Sequence, residues 1–441
     1  LINKISGTGE PLVRWLIKQT AIVFTACLLC CQTTNGQEAK TVKTTGWPHF
    51  RGPGGQGISI AKGLPVTWST TQNLLWKTEL PGAGASSPIV VGNKVFVTCY
   101  SGYGVPGQSK GDLNQLKRHL VCLNTNGKLL WNKEFPASLP ESQSVREHGY
   151  AASTPACDGE RIYVFFGKSG VFAFDLDGKQ LWKANVGDNH HGWGSAASPL
   201  IYKDLVIINA CIESESLIAL DTKTGKERWR VRGIKESWNT PIIVKNKAGT
   251  AELVIAVIGK ILAFNPDSGE SLWNCDTDIK WYMAPSMVAD DGVIYALGGR
   301  SGVVALAVRS GGKGDVTKTH RLWTSTKGSN VSSPIVHDGH LYWMNDNLGI
   351  AYCAEAGTGK IIYEERVARA GQVYASPILA DGKLYYLSRS GTTYVLKAGP
   401  KYELLATNEL SDRSSFDASL AVSDGRIYIR SNRFLYCVGE K

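Results

Sequence analysis

Outside its first 36 residues the chain has no close pair of cysteines. The adjacent Cys30-Cys31 lies in that opening segment, and the later cysteines of the ten in the chain are too far apart for a Cys-x-x-Cys motif. This spacing excludes a zinc ribbon, a dithiol redox centre and a covalently attached haem after residue 36, and an odd number of late cysteines argues against a disulfide framework. A basic stripe is missing too. The 48 Lys and Arg exceed the 38 Asp and Glu by a net +10, but they are scattered through turns, whereas a nucleic-acid footprint is a clustered basic face. Beyond residue 31 no apolar run approaches the ~20 residues that span a bilayer. No pair of carboxylates of the kind that hydrolyses glycosidic bonds stands out.

The opening segment is itself informative. Arg14 and Lys18 precede the apolar run Thr20 to Cys31, and the small polar Gln32-Thr33-Thr34-Asn35-Gly36 follows. That order predicts an export signal over 1–36, cleaved near Gly36, with lipid attachment at Cys30 or Cys31 as a further option. A buried N-terminal helix is the alternative. The expected location is the periplasm or cell envelope, with no transmembrane anchor in the mature chain.

From residue 88 onward one pattern returns eight times. It opens with Ser-Pro, passes through Asp-Gly and a Val/Ile/Tyr run, and closes with Thr-Gly-Lys and Trp. The cleanest copy runs from Ser198-Pro199 through Ala219-Leu220-Asp221-Thr222-Lys223-Thr224-Gly225-Lys226 to Trp229. The openings are Pro88, Pro155, Pro199, Pro241, Pro285, Pro334, Pro377 and a degenerate Leu420, with typical steps of 42 to 44 residues. Repeats of this length, rich in β-branched and aromatic residues, predict radial blades. Each unit reads as four short strands joined by tight turns, Asp158-Gly159 being a preferred hairpin turn. Alone, such a sheet leaves apolar faces wet and edges unpaired, so neighbours must cover it. The expected fold is all-β: one eight-bladed propeller of four-stranded antiparallel blades over 73–441, with 37–72 as an arm packed on it.

Ring closure is also legible. Fourth strands end at Trp131, Trp182, Trp229, Trp273, Trp323, then Tyr363 and Leu405, which is seven for eight openings. The last unit runs out of chain, while Asn73 to Leu80, centred on Trp76, has the fourth-strand pattern with no strands before it. The N-terminal strand is therefore expected to complete the C-terminal blade. Cys122, Cys353 and Cys437 occupy the repeat position of Ala173, Ala219, Ala263 and Ala305, where buried free Cys serves as a small residue.

Ala219-x-Asp221-x-x-x-Gly225-Lys226-x-x-Trp229 is identical in spacing to the tryptophan-docking motif of quinoprotein alcohol dehydrogenases. Ala263 to Trp273 keeps most of it, with Asn265 and Glu270 as departures, and the copies ending at Trp131 and Trp182 are one residue shorter. Over about residues 73–438 the chain resembles the PQQ-like (pyrrolo-quinoline quinone) repeat propellers, a superfamily of both dehydrogenases and BamB-like assembly lipoproteins. The resemblance implies a structural role between blades for Trp229 and its equivalents Trp76, Trp131, Trp182, Trp273 and Trp323, together with Ala219, Asp221 and Gly225. A second, narrower resemblance joins Trp47-Pro48-His49-Phe50-Arg51-Gly52-Pro53 and Gly57-Ile58-Ser59 to the opening of a group of exported bacterial PQQ-repeat proteins. Its Pro and Gly residues suit an extended arm, Trp47 and Phe50 are apolar anchors, and Arg51 either packs with them or meets a ligand.

Chain direction sorts the loops onto two faces. Asp-Gly and Thr-Gly-Lys turns share one, and longer loops and links share the other, where function is expected. Residues just before each first strand should converge on the central funnel: Arg146, Glu147, His148 and Tyr150; Asp188, His190, His191 and Trp193; Trp238 and Asn239; Trp281 and Tyr282; Asn330; Tyr374; Phe416 and Asp417. An aromatic mouth with a few polar groups suits a small-molecule or peptide site, and three His on adjacent blades suit a metal or proton transfer. Plugging of the channel is the bland alternative. The step from Pro88 to Pro155 is 67 residues, and its excess, within 101–119 and 136–147, is either a lid or docking loop or a surface insertion.

Two functions remain open. One is a monomeric exported scaffold, BamB-like and without catalysis or cofactor, that binds an envelope protein or a small-molecule or glycan ligand through the long-loop face. The alternative is a dehydrogenase of alcohols or sugars using PQQ and Ca²⁺. The resemblance implies adjacent cysteines against the quinone and long insertions around the substrate for that activity, and the chain has neither after residue 36. Catalytic residues stay unassigned.

Overall fold

The computed structural model describes residues 46–440 apart from 147, 301 and 411. The expected export signal, both candidate lipidation cysteines, the first residues of the expected arm and Glu147 lie outside the described residues. Within them, eight sheets form the predicted eight blades, and no helix is long and apolar enough to cross a membrane.

The third blade shows how the repeat folds. Leu200–Tyr202, Leu205–Ala210, Ser216–Asp221 and Glu227–Arg232 run antiparallel from the channel outward. Asp221 makes the last turn, its carboxylate accepting from the Lys223 and Thr224 amides while its carbonyl accepts from Gly225. That turn shifts the register after Ala219, which faces Trp229 across the strands. Gly225 has φ +69°, and a Cβ there would stand 2.6 Å from the Trp182 indole of the preceding blade. Only glycine lets that indole lie flat on the turn, where its Nε1 donates to the Thr222 carbonyl at 3.0 Å. The same contact recurs for Trp76 on Gly127 with a bond to Thr125, Trp229 on Gly269 with Pro266, and Trp323 with Gly359 and Ala356. Trp131 covers Gly178. Trp273 departs from the series and donates within its own blade, to Glu252.

Two register expectations need correction. Trp323 faces Ala307, not Ala305, because the turn after Val304–Arg309 is lengthened and carries the extra strand Gly314–Asp315. In the seventh blade the position facing the third strand is Ala406, opposite Val395, not Leu405. The seven described cysteines are buried and unpaired.

The ring closes as the pattern requires. Leu74–Glu79 pairs with Phe434–Gly439, Trp76 facing Cys437. A second closure runs around the channel wall. One residue at the opening of each blade donates its backbone N–H to the hydroxyl of its counterpart in the next blade: Ser87 to Thr154, then Ser198, Thr240, Ser286, Ser333, Ser376 and Ser419, and back to Ser87, all at 2.9 to 3.1 Å. Six of them precede an opening Pro, whereas Ser286 follows Pro285, so blade five opens one residue later than its Pro suggests. The eighth copy, degenerate because it lacks Pro, keeps the residue that matters. Ser198→Ala leaves the buried Thr154 N–H without an acceptor, an expected loss of about 1–3 kcal/mol, read from the midpoint of denaturant unfolding.

Residues 46–59 enter the channel as a hairpin from the short-turn face. Gly46–Trp47 adds to the inner edge of blade one, antiparallel to Ile89–Val91, and Ile58–Ser59 adds parallel to Ile378–Ala380 of blade seven. Between them Pro48 accepts from Cys157, and Gln56 accepts from the Ala289 amide. Arg51, 1% exposed, holds the tip together by donating to the Gly55, Gln56 and Pro334 carbonyls. Burial pulls its pKa down to about 9. Gly52, at φ +68°, lies against Trp47, where a Cβ would clash at 2.5 Å.

Candidate functional site

Because the arm stops partway up, the channel is a cup open only toward the long-loop face. Its volume is about 540 Å³, with Phe50 of the arm and the Ser/Thr ring lining its lower part. Eight of the predicted site residues line it: Arg146, His148, Trp193, Trp238, Tyr282, Asn330, Tyr374 and Asp417.

The lining has two unlike halves. On blades two to five, Trp238 and Tyr282 meet edge to face at 5.5 Å, and Tyr282 lies 5.8 Å from Trp193. Trp238 is fixed by an Nε1 bond to the Gly194 carbonyl at 2.7 Å. The guanidiniums of Arg146 and Arg300 lie 5.4 and 5.8 Å from the Trp193 ring centre, and among the described residues neither meets a carboxylate. On blades six to eight a polar chain runs along the rim. Asp417 accepts from Arg389 at 2.6 Å, Arg389 donates to Gln372, Gln372 to Asn347, and Asn347 to Asp346. Asp346 also accepts from the Asn330 amide at 2.8 Å; burial raises its pKa above the ordinary carboxylate range. Asn330 is 7% exposed, and its Oδ1 is buried without a hydrogen-bond partner among the described residues.

The remaining predicted residues lie elsewhere. Asn239 is buried below the wall, donating to Ser237 and Ala256, and Phe416 is core against Tyr436. Trp281 is exposed outside the cup. Tyr150, His190 and His191 line a small neighbouring cleft with Arg118, Glu141 and Glu213, while Asp188 and His190 border an open surface depression. The histidines do not converge: His190 meets Ser142, His191 takes the Trp193 amide, and His148 meets the Gly149 carbonyl. Among the described residues no group of three or more His, Cys, Asp or Glu could hold a metal ion.

In the small cleft, Arg118 and Glu141 form a buried ion pair. Glu213 takes a bond from Ser195 while its backbone carbonyl accepts from Asn189, so it pins the link that carries Trp193. Desolvation raises the Glu213 pKa to about 7. The loop 102–116 does not reach the cup and is no lid for it; Tyr103 and Leu116 pack with Tyr100 and Tyr150 in a satellite core.

Sequence reasoning missed Arg300, Asn347 and Gln372, which sit on the rim. Arg300 lies between the second and third strands of its blade, after Val293–Gly298 and before Val304–Arg309, not in a link before a first strand. The Ser/Thr ring was visible in part as the Ser or Thr before an opening Pro, which holds for six of its eight members; its partners emerge only when blades are neighbours.

Comparison with known proteins agrees with this architecture. The family model described as outer membrane protein assembly factor BamB matches residues 36–190 and 101–231. The chain is 29% identical over 237 residues to the quinoprotein alcohol dehydrogenase PedH of Pseudomonas putida, covering 51% of this chain and 35% of that one. It is 25% identical over 203 residues to the outer membrane protein assembly factor BamB of Burkholderia pseudomallei, covering 45% and 44%. The matches thus span less than half the length of these curated relatives. The solved quinohemoprotein alcohol dehydrogenase from Comamonas testosteroni superposes with a TM-score of 0.64 at 12% identity, covering 91% of this chain and 82% of that one, a likeness of fold.

The cup's donors can be tested against the quinone and calcium of such dehydrogenases. Ca²⁺ takes 6–8 oxygen ligands, typically with several carboxylates. Among the described residues Asp417 is the only carboxylate lining the cup, and Arg389 already holds it. The donor set does not fit a calcium centre.

Proposed function

We propose that this PQQ-like-repeat propeller, similar to both an assembly factor and a dehydrogenase, is a non-catalytic binding protein of the cell envelope. Its long-loop face captures a partner or ligand, and the cup is the centre of that surface. The observation that carries this reading is the cup itself: about 540 Å³, closed below by the chain's own arm, with aromatic and cationic groups converging from separate blades. Cavities of about 300–1,000 Å³ with few, placed polar groups are the usual form of a recognition site. A blind cup admits and releases its occupant through the long-loop face alone.

The identity to PedH supports a second reading, a PQQ-dependent dehydrogenase of an alcohol or sugar. Incubation of the purified protein with PQQ and Ca²⁺, followed by desalting, absorbance spectroscopy and dye-reduction assays with alcohols and sugars, separates the two. We expect no retained quinone and no substrate-dependent dye reduction. Turnover that vanishes in Asp417→Asn would replace the binding reading with the enzymatic one.

A further inference from the structure

We propose that the cup's occupant is an acidic saccharide, a sugar carrying a carboxylate or sulfate group. The inference rests on the reading of the cup as a binding site and names its ligand class.

Three observations converge. First, Arg146 and Arg300 approach the same indole, Trp193, from loops of different blades, leaving two guanidiniums beside one point of the cavity without a described carboxylate between them. Guanidinium forks match planar or tetrahedral oxyanions through paired N–H donors, so this side of the cup calls for an anion. Secondly, amide side chains line the far side of the cup, with Asn347 and the exposed Gln372 on its rim. An amide both donates and accepts hydrogen bonds, so this side of the cup calls for groups that do the same. A hydroxyl does both, whereas an anion made only of acceptors does not.

Thirdly, the halves differ in character. Trp193, Trp238 and Tyr282 offer an apolar wall, and the chain Asn330, Asn347 and Gln372 offers a hydrogen-bonding wall opposite. A pyranose has this division, with C–H faces that pack on aromatic rings and a hydroxyl perimeter that exchanges hydrogen bonds. The cup volume of about 540 Å³ accepts a ligand of disaccharide size. One molecule satisfies all three demands when its acid group meets the arginines and its hydroxyls meet the amide side.

Isothermal titration of the purified chain with a uronate disaccharide, a sulfated disaccharide, an uncharged disaccharide and PQQ tests the assignment, and the first two distinguish the acid group. We expect saturable heat with at least one acidic sugar, tenfold or more weaker binding of the uncharged sugar, and tenfold or more loss in Arg300→Gln and Arg146→Gln. Both arginines are exposed, so these variants should keep the parent melting temperature. Gln372→Leu, at an exposed rim amide, should weaken acidic and uncharged sugars alike while leaving the preference for acid intact. Equal binding of charged and uncharged sugars, no saccharide binding, or binding of PQQ alone would overturn the inference. The two readings fail separately. Absence of sugar binding without turnover removes the ligand class and leaves a binding protein, whereas oxidation of a bound sugar removes the binding reading and keeps the sugar.

Discussion

A chain shortened to begin at residue 80 is expected to lose cooperative folding and to elute as aggregate. The deleted strand Leu74–Glu79 is the outer edge of the eighth blade, and without it Phe434–Gly439 presents an unpaired row of backbone donors and acceptors. Unpaired edges recruit other chains, and Leu435 to Val438 are fully buried in the intact ring. The deletion also removes the Trp76 indole from Gly127, so the junction between the last and first blades loses its cover. Together these changes convert a closed ring into an open array. A chain beginning at residue 61 is the control. It keeps that strand and the anchor Trp68, which stacks on Tyr385 and donates its backbone N–H to Asn408 Oδ1. This shorter deletion should remain monomeric with a lowered Tm, and should lose the cup floor because Phe50 is gone. Size-exclusion chromatography and thermal melts compare the three. A monomer beginning at residue 80 that melts cooperatively near the parent temperature would refute the closure argument.

Trp273→Ala should be the most destabilising of the indole truncations, at about 3–5 kcal/mol. Trp273 is 1% exposed and packs in a core with Met283, Met287, Ile294 and Leu306. Its neighbours in the series stop at the blade surface, where the indole covers one turn glycine; Trp273 instead fills space on both sides, because the extra strand Gly314–Asp315 lies against its outer edge. Its Nε1 bond to Glu252 at 2.7 Å adds a polar cost, since that carboxylate is buried too. Trp273→Phe keeps most of the volume and isolates the lost bond, for which about 1–3 kcal/mol is expected. Trp323→Ala, at a half-buried indole, should cost less than Trp273→Ala. Urea denaturation of the three variants orders them, and a smaller loss at Trp273 than at Trp323 would show that its extra burial contributes nothing.

The fold was legible because propeller order is local. Asp221, Gly225 and Trp229 sit within nine residues, and their relation is set by one turn, so spacing alone announces it. The misplaced register at Ala305 has the same origin: with a lengthened turn the residue facing Trp323 is Ala307, two positions further on. Half of the candidate site was legible for a weaker reason. Placing residues before each first strand near the funnel is sound, but it does not say which side chains turn inward. Asn239 and Phe416 satisfy the rule and still point into the wall, while Arg300 violates it and reaches the cup.

What the sequence determined by itself was the number of blades, the strand order within them and the pairing of the Trp76 segment with the last blade. These follow from hydrophobic alternation, turn chemistry and the need to leave no edge open. What only the tertiary structure decided was the interior of the ring. The segment Trp47 to Ser59 has no periodicity to read, since its conformation is set by carbonyls of Pro334 and amides of Ala289 and Leu379 hundreds of residues away. The same holds for the cup. Arg146, Arg300 and Gln372 line one cup because eight blades bring distant loops to a common axis, and proximity created by closure leaves no trace in local spacing.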